Sequence, residues 1–411
     1  MKPGESLAEH AERRKRLAGK YILDRGNPWF VEVDQLKFEA AKRGRSLVSF
    51  ANYDYLGLAE HASVKMAAIT AVRTSGVGAQ GSRLVGGERR AHGALERGLA
   101  KFLGHEACLT LVSGYLANQS VISHLMAHND LIIYDQFSHN SIRAGNAATK
   151  ATAIAFRHND LADLRAALEQ NRANSRNCLV VVEGLYSMDG DIPDLPEILR
   201  LKAEFNFWLL VDEAHSFGVL GGSGRGLSEH FGTDPREIDL LIGTLSKTLG
   251  ACGGFVCASE GVVEWLKYTL SGFVYSVGLS PVIAASALAA LEILEAEPQR
   301  VARLRENSNF FTRLAREAGL NVGVAEGAAV IPVIFPDLES VMGASEALLS
   351  AGYYAPPIAH VGVPKNAPRI RFFISCEHEK RDIVKVVQAL QDFIQAGGES
   401  SAEKVKLIAA Q

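Results

Sequence analysis

Between residues 107 and 257 short apolar runs recur, each closed by polar residues or glycine, and helical stretches lie between them. Cys108-Leu109-Thr110-Leu111-Val112 is followed by Ser113-Gly114-Tyr115, where a helix is predicted to begin. Leu131-Ile132-Ile133-Tyr134-Asp135 has His139 just beyond it. Cys178 to Val182 ends in Glu183-Gly184. A helix over Pro196 to Glu204 leads to Phe207 to Val211, which ends in Asp212-Glu213-Ala214-His215. Ile238 to Ile242 and Gly254 to Cys257 complete the series. Short, continuous apolar runs suit strands buried on both faces. Strands that alternate with helices need crossover connections, hence a mostly parallel sheet. Right-handed crossovers keep successive strand ends on one side. Polar residues gather there, where such sheets bind ligands. The predicted fold class is α/β.

The rest of the chain divides around this block. At 411 residues, one large and one smaller domain are expected. Residues 1–55 are predicted to hold a helix over 5–20, a stop at Gly26-Asn27-Pro28-Trp29-Phe30, and a short strand over Leu47-Val48-Ser49-Phe50. Residues 56–290 form the large domain. Gly76-Val77-Gly78-Ala79-Gln80-Gly81-Ser82-Arg83 lies before a helix over Ala91 to Leu103. It has no apolar strand before it, so it is not a dinucleotide fingerprint; a flexible backbone lining a site is expected instead. Residues 291–396 are predicted as an α+β domain with an antiparallel sheet. A helical stretch over 281–318 leads into it, followed by strands Ala329 to Phe335 and Arg369 to Ser375 and helices Leu338 to Ser350 and Lys380 to Ala396. Residues 397–411 are a polar tail.

Composition removes several function classes. A formal charge of -3 gives no electrostatic case for nucleic acid. The five cysteines are scattered and form no CxxC pair, so neither a zinc site nor a disulfide framework is expected, and a reducing cytoplasm fits. The charged stretch Glu9 to Lys15 is not a signal-peptide pattern. Pro281 to Leu294 is too short to span a bilayer; peripheral membrane contact stays open.

Candidate chemistry sits at the strand ends. Lys247 lies just past an apolar run, within Gly243-Thr244-Leu245-Ser246-Lys247-Thr248-Leu249-Gly250. A desolvated lysine loses basicity and is freed to form a Schiff base; alone, the pair Ser246-Lys247 also suits a surface loop. Thr244 and Ser246 offer hydroxyls to a phosphate, as do the backbone N–H groups at a helix start around Ser113, Gly114 and Tyr115. Asp212 ends an apolar run and needs a cationic partner, either a protonated pyridine nitrogen or a protein cation. His139 is placed to stack on a ring, and His215 to reach a phenolic oxygen on it; each is also compatible with a structural role. In this order the residues describe a pocket for pyridoxal 5'-phosphate.

With these motifs the chain resembles the α-oxoamine synthases, a branch of the aspartate aminotransferase-like, fold type I pyridoxal phosphate enzymes. The resemblance spans about residues 25–395 and includes Tyr55-Leu56-Gly57-Leu58, Ser113-Gly114-Tyr115-Leu116-Ala117-Asn118, Ser187-Met188-Asp189-Gly190, Gly224-Arg225-Gly226, and Arg371 with His378. It implies an acyltransferase that condenses an amino acid with an acyl thioester, on CoA or a carrier protein, and releases carbon dioxide and an α-oxoamine. It also implies that Lys247 carries the cofactor and later moves protons, with Asp212, His139 and His215 about the ring. Ser113, Gly114, Tyr115, Thr244 and Ser246 would hold phosphate, joined by Ser276 of a second subunit in a homodimer. Ser187 completes the cofactor pocket, while Tyr53, Asp54 and Arg371 would contact substrate. Tyr53 and the Asn27-Pro28-Trp29-Phe30 segment resemble the serine palmitoyltransferase-like branch of sphingolipid synthesis, which favours serine and a long acyl chain. Asp54 departs from that branch's asparagine, and Val363 to Pro368 departs from its usual pattern. The alternatives are another α-oxoamine synthase (8-amino-7-oxononanoate synthase or 2-amino-3-ketobutyrate CoA ligase), an aminotransferase, and a non-catalytic partner subunit.

Overall fold

The computed structural model describes residues 5–15, 28–33, 36–40, 45–359, 363–364 and 366–397. Residues 7–15 are helical, while 16–20 of the expected first helix, most of the polar tail and Lys365 fall outside the described residues. Strands β1 (Lys37–Ala40) and β2 (Arg45–Ser49) pair antiparallel. The central sheet has seven strands: β3 (Ala107–Leu111), β4 (Leu131–Asp135), β5 (Thr152–Phe156), β6 (Cys178–Glu183), β7 (Trp208–Asp212), β8 (Leu240–Thr244) and β9 (Gly254–Ala258). Their order is β3-β9-β8-β7-β6-β4-β5. The pairs from β5 through β8 are parallel, and β9 runs antiparallel to both β3 and β8.

Pleating explains why these strands read as continuous apolar runs. Val180 and Val182 of β6 face one core with Leu209 and Val211 of β7. Leu179 and Val181 face a second core on the other side with Leu210. Both faces are covered, so every position is apolar until the carboxyl ends. β5 carries no such run because it is the sheet edge, and within it only Phe156 is fully buried.

The strand predicted over Ile238 to Ile242 is shifted, starting at Leu240 and running through Thr244. A turn over Pro235–Glu237 closes on Ile238, whose N–H donates to the Pro235 carbonyl at 3.1 Å. The carboxylate of Asp239 then accepts the Leu209 N–H at 2.7 Å, a side chain standing in for a ladder bond. At the other end Gly243 and Thr244 pair with Phe255 and Gly254. The expected helical stretch over 281–318 is two helices, Pro281–Ala296 and Gln299–Glu317. Pro298 between them has no N–H to continue the first. The helix Pro281–Ala296 packs on helices Ala62–Ser75 and Arg90–Leu103. No helix among the described residues is long and apolar enough to cross a membrane.

The C-terminal layer holds β10 (Val330–Ile334), β11 (Tyr353–Tyr354), β12 (Pro357–Ile358) and β13 (Arg369–Phe373). β10, β13 and β12 form an antiparallel sheet, while β11 pairs with β2. The segment that leads into Tyr53 is therefore anchored on the C-terminal layer. His378 locks the junction. Its ring stacks on Phe50 at 3.9 Å, Nδ1 accepts the Ser375 N–H at 3.0 Å, and Nε2 lies 3.0 Å from the Ser49 carbonyl.

Burial pushes His378 down from the ordinary 6.5 to about 4, so the folded protein holds it neutral. The unfolded chain protonates first as pH falls. This contribution is complete above about 6.5 and is lost as pH drops towards 4. The thermal midpoint of the wild type should therefore fall more steeply between those pH values than that of His378→Asn. Parallel curves for the two proteins would refute the role of this imidazole.

Candidate active site

Asp135, Glu183, Asp212 and Thr244 close β4, β6, β7 and β8 on one side of the sheet. A cleft opens there, with Lys247, Asp212 and Glu183 in its walls, together with His139, His215 and Thr244. Gly114, Tyr115 and Ser187 also line it. Asp212 is buried; its Oδ2 accepts the Asn118 side-chain N–H at 2.7 Å and its Oδ1 accepts the Ala214 N–H at 2.9 Å. Asp212 has no ion-pair partner among the described residues. A buried carboxylate is stable with a cation or several donors, and here the protein supplies donors and leaves the charge for a ligand.

Register places Glu183 beside Asp212. Its Oε1 accepts the His139 N–H at 2.6 Å and its Oε2 accepts the Ser187 N–H at 3.3 Å. Burial, reinforced by the charge of Asp212, pushes the Glu183 carboxyl up to about 8. Lys247 moves the other way. Burial draws its amine down from 10.5 to about 8, against the pull of Asp212 and Glu183. A lysine so placed is available as a neutral nucleophile or base.

His139 caps the helix Asn140–Ala147. Its Nδ1 accepts the Ser141 N–H at 3.3 Å and lies 2.8 Å from the Ser141 hydroxyl. The Asn118 amide donates to that hydroxyl, at 3.2 Å, as well as to Asp212. Asp212 and His139 are thus joined through Asn118 and Ser141. Burial, then Lys247 and Arg371, lower the His139 pKa, while Asp212 opposes them. His215 is buried, 2.7 Å by Nδ1 from the Tyr55 hydroxyl, and burial holds it well below its ordinary value.

Three further groups face the cleft or its mouth. Ser113 caps the helix Gly114–Leu125 by accepting the Tyr115 N–H at 3.1 Å. That helix start sits tight against β8 and β9: a Cβ added to Gly254 would lie 2.5 Å from the Gly114 nitrogen. The Thr244 hydroxyl donates to the Gly253 carbonyl at 2.9 Å, accepts the Ser246 N–H at 3.1 Å and lies 3.1 Å from the Ser246 hydroxyl. Arg371 of β13 donates to the Ser187 carbonyl at 2.6 Å and lies 3.4 Å from the Tyr53 hydroxyl, and its buried Nε has no partner among the described residues.

A model of the class I and II aminotransferases matches residues 45–390. The chain belongs to this family. An 8-amino-7-oxononanoate synthase of Methylobacterium sp. strain 4-46 is 41% identical over 354 residues, 86% of this chain and 88% of the relative. The enzyme of that name from Beijerinckia indica is 38% identical over 353 residues, 86% of this chain and 89% of the relative. The serine palmitoyltransferase of Sphingomonas wittichii superposes with a TM-score of 0.87 at 30% identity, over 95% of this chain and 97% of that one. Another solved serine palmitoyltransferase, 29% identical with a TM-score of 0.87, covers 96% of this chain and 98% of that one and carries PLP. Within the family the chain is an α-oxoamine synthase of the pyridoxal phosphate fold type I.

Not every expected site residue reaches this cleft. Ser246 is exposed on its rim. Asp54 is turned to its own backbone, accepting the Leu58 N–H at 2.8 Å and the Ala59 N–H at 3.1 Å, so its carboxylate shapes the turn that presents Tyr53 and Tyr55. Ser276 is half-buried between exposed Tyr275 and Val277, apart from the cleft of its own chain. The glycine-rich stretch before Arg83 does not line this cleft either. Arg83 is buried in ion pairs with Glu96 and Glu88.

Asn118, Ser141, Glu183 and Tyr55 join the site through tertiary contacts. Tyr55 and Asn118 lie in motifs that carry the resemblance, and Glu183 is the polar stop of an apolar run parallel to Asp212, but none of these signals assigns the residue a role. Asn118→Ala should remove the donor shared by Asp212 and Ser141 and lower kcat about ten- to hundredfold. Asn118→Asp would set two carboxylates together and should be worse. Steady-state kinetics of both variants test this; equal, near-wild-type kcat values would sink it.

Proposed function

We propose that this chain condenses a small amino acid with an acyl thioester, releasing carbon dioxide and the thiol and yielding an α-amino ketone. The observation that carries the reading is the buried Asp212 carboxylate, which has donors but no ion-pair partner among the described residues, near the desolvated amine of Lys247. The residues fit pyridoxal phosphate: Asp212 for the ring nitrogen, His139 and His215 about the ring, and Lys247 for the aldehyde. The helix start at Gly114 and Tyr115, with Thr244 and Ser246, would take phosphate. Bound there, the cofactor supplies an electron sink for a carbanion at the amino acid's α-carbon.

The protein's own groups do the rest. Arg371 binds the substrate carboxylate with its free donors, next to Tyr53. Lys247 takes the α-proton, which its lowered basicity permits near neutral pH. The new carbon–carbon bond forms at the thioester carbonyl as the thiol leaves. After the carboxylate departs as carbon dioxide, a proton returned to the α-carbon completes the balance. Ser276 is proposed to complete the phosphate site of a partner in a homodimer. Its neighbourhood carries exposed Val85, Tyr275 and Val277, and Gly278 bonds the Gly81 carbonyl beside them.

The relatives named 8-amino-7-oxononanoate synthase support one finer reading. Cutting that product between its ketone and its amine-bearing carbon leaves alanine, less its carboxylate, and a dicarboxylic acyl group. The serine and long-chain preference expected from the motifs is the second reading, supported by the serine palmitoyltransferase superposition. Titrating the holoenzyme with alanine, serine and glycine while following cofactor absorbance separates them, followed by thiol release from dicarboxylic and long-chain acyl thioesters. Alanine with a dicarboxylic donor supports the first, and serine with a long-chain donor the second. Spectral change with no thiol release from any donor would overturn the condensation.

A further inference from the structure

A cavity of about 350 Å³ opens at the opposite end of the central sheet from the active site. Trp208 starts β7, Leu240 starts β8 and Ala258 ends the antiparallel β9, and all three line it. This edge is the reverse of the one that carries Asp212 and Thr244. Its walls include two of the chain's three tryptophans, Trp208 and Trp265, 38% and 44% exposed. Between them the lining is largely aliphatic, from Leu125, Ile238 and Val262.

The polar groups of the cavity divide by charge. Arg236 is held by Asp234, with contacts at 2.7 and 3.0 Å, so its charge is satisfied. Asp239 is paired with Lys202 at 2.6 Å. What remains is electron-rich. One Glu106 oxygen accepts the Glu260 N–H at 3.0 Å, and Glu106 has no ion pair among the described residues. His105 is buried, and its Nε2 has no hydrogen-bond partner among the described residues. Burial holds this imidazole down to about 4, so it is neutral near pH 7 and adds no positive charge to the wall. Indole faces attract cations through their quadrupole. Aliphatic walls with a few convergent polar groups are the usual composition of a small-molecule site.

We propose that this cavity binds an amphipathic organic cation, with its ammonium head near Glu106 and His105 and its apolar body against Trp208 and Trp265. An anion would meet the Glu106 carboxylate and two electron-rich rings, and the lining cation Arg236 is already engaged by Asp234. The inference does not depend on the reaction assigned to the active site.

The probe is N,N-dimethyloctylammonium, a protonated tertiary amine that keeps one N–H and cannot react with an aldehyde cofactor. Octanoate is its anionic counterpart of matched apolar length. Added to the holoenzyme, the cation should change indole fluorescence saturably, and octanoate should not at equal concentration. Trp265→Ala and Glu106→Gln, both at exposed positions, should each weaken cation binding by about fivefold or more. Octanoate binding as tightly as the cation would overturn the proposal, as would no saturable change. Cation binding unaltered in both variants would place it elsewhere and overturn it too.

Discussion

Lys247→Ala should lower turnover by at least about three orders of magnitude and abolish the visible absorption of the lysine-bound cofactor. The fold should survive. The Lys247 amine makes no hydrogen bond or ion pair among the described residues; its nearest cation–ring contact is with Tyr53, 5.6 Å from the ring centre. Removing it takes away a cation that burial already disfavours, so the cost in stability should stay within about 1 kcal/mol. A large loss of activity with an unchanged thermal midpoint would assign the lysine to chemistry. A collapse of both would make it structural. Turnover within tenfold of wild type would remove Lys247 from the mechanism and with it the reading as a catalytic subunit.

The strand ends were legible because burial on both faces leaves an apolar run that stops abruptly where solvent or ligand begins. Asp212, Glu183 and Thr244 each mark such a stop, and the strand order places them in one row. β5 was illegible for the converse reason: an edge strand with one buried residue has no run to read. The shift of β8 came from a side chain, Asp239, replacing a backbone bond, which no local pattern announces. The same holds for the site. His139 and Lys247 are readable from their place after strands. The link from Asp212 through Asn118 and Ser141 to His139 joins residues from two helices and a strand, and exists only after folding. Asp54 illustrates the opposite case, since the resemblance implies substrate contact at a position where this chain departs from the usual asparagine, whereas two backbone N–H groups claim its carboxylate.

Asp212→Asn should separate charge from shape. In the wild type Oδ1 accepts from Ala214 and Oδ2 from Asn118. An asparagine oxygen still accepts from Ala214, and the introduced amide can donate to Asn118 once that side chain flips. Asn118 has the acceptor ready, because its buried Oδ1 has no partner among the described residues of the wild type. The Ser141 hydroxyl, which accepts from the Asn118 amide in the wild type, then faces the flipped oxygen and can donate to it, so packing is kept and the negative charge is lost together with that one accepted bond. Removing one member of a buried charge pair costs about 3–5 kcal/mol, roughly two to four orders of magnitude in turnover. Two neighbours should respond in defined directions. Glu183, held up to about 8 by burial and by the Asp212 charge, should ionise more readily. Lys247 should become less basic, since Asp212 is the leading group pulling its pKa upward. An ionised Glu183 then partly restores the lost charge, so residual activity in the variant should rise as pH passes through the new Glu183 value. Asp212→Asn combined with Glu183→Gln should erase that rise. A pH–rate profile of the single and double variants decides the matter. A rise that persists in the double variant would show that Glu183 does not compensate, and wild-type turnover in Asp212→Asn would show that the buried charge has no catalytic task.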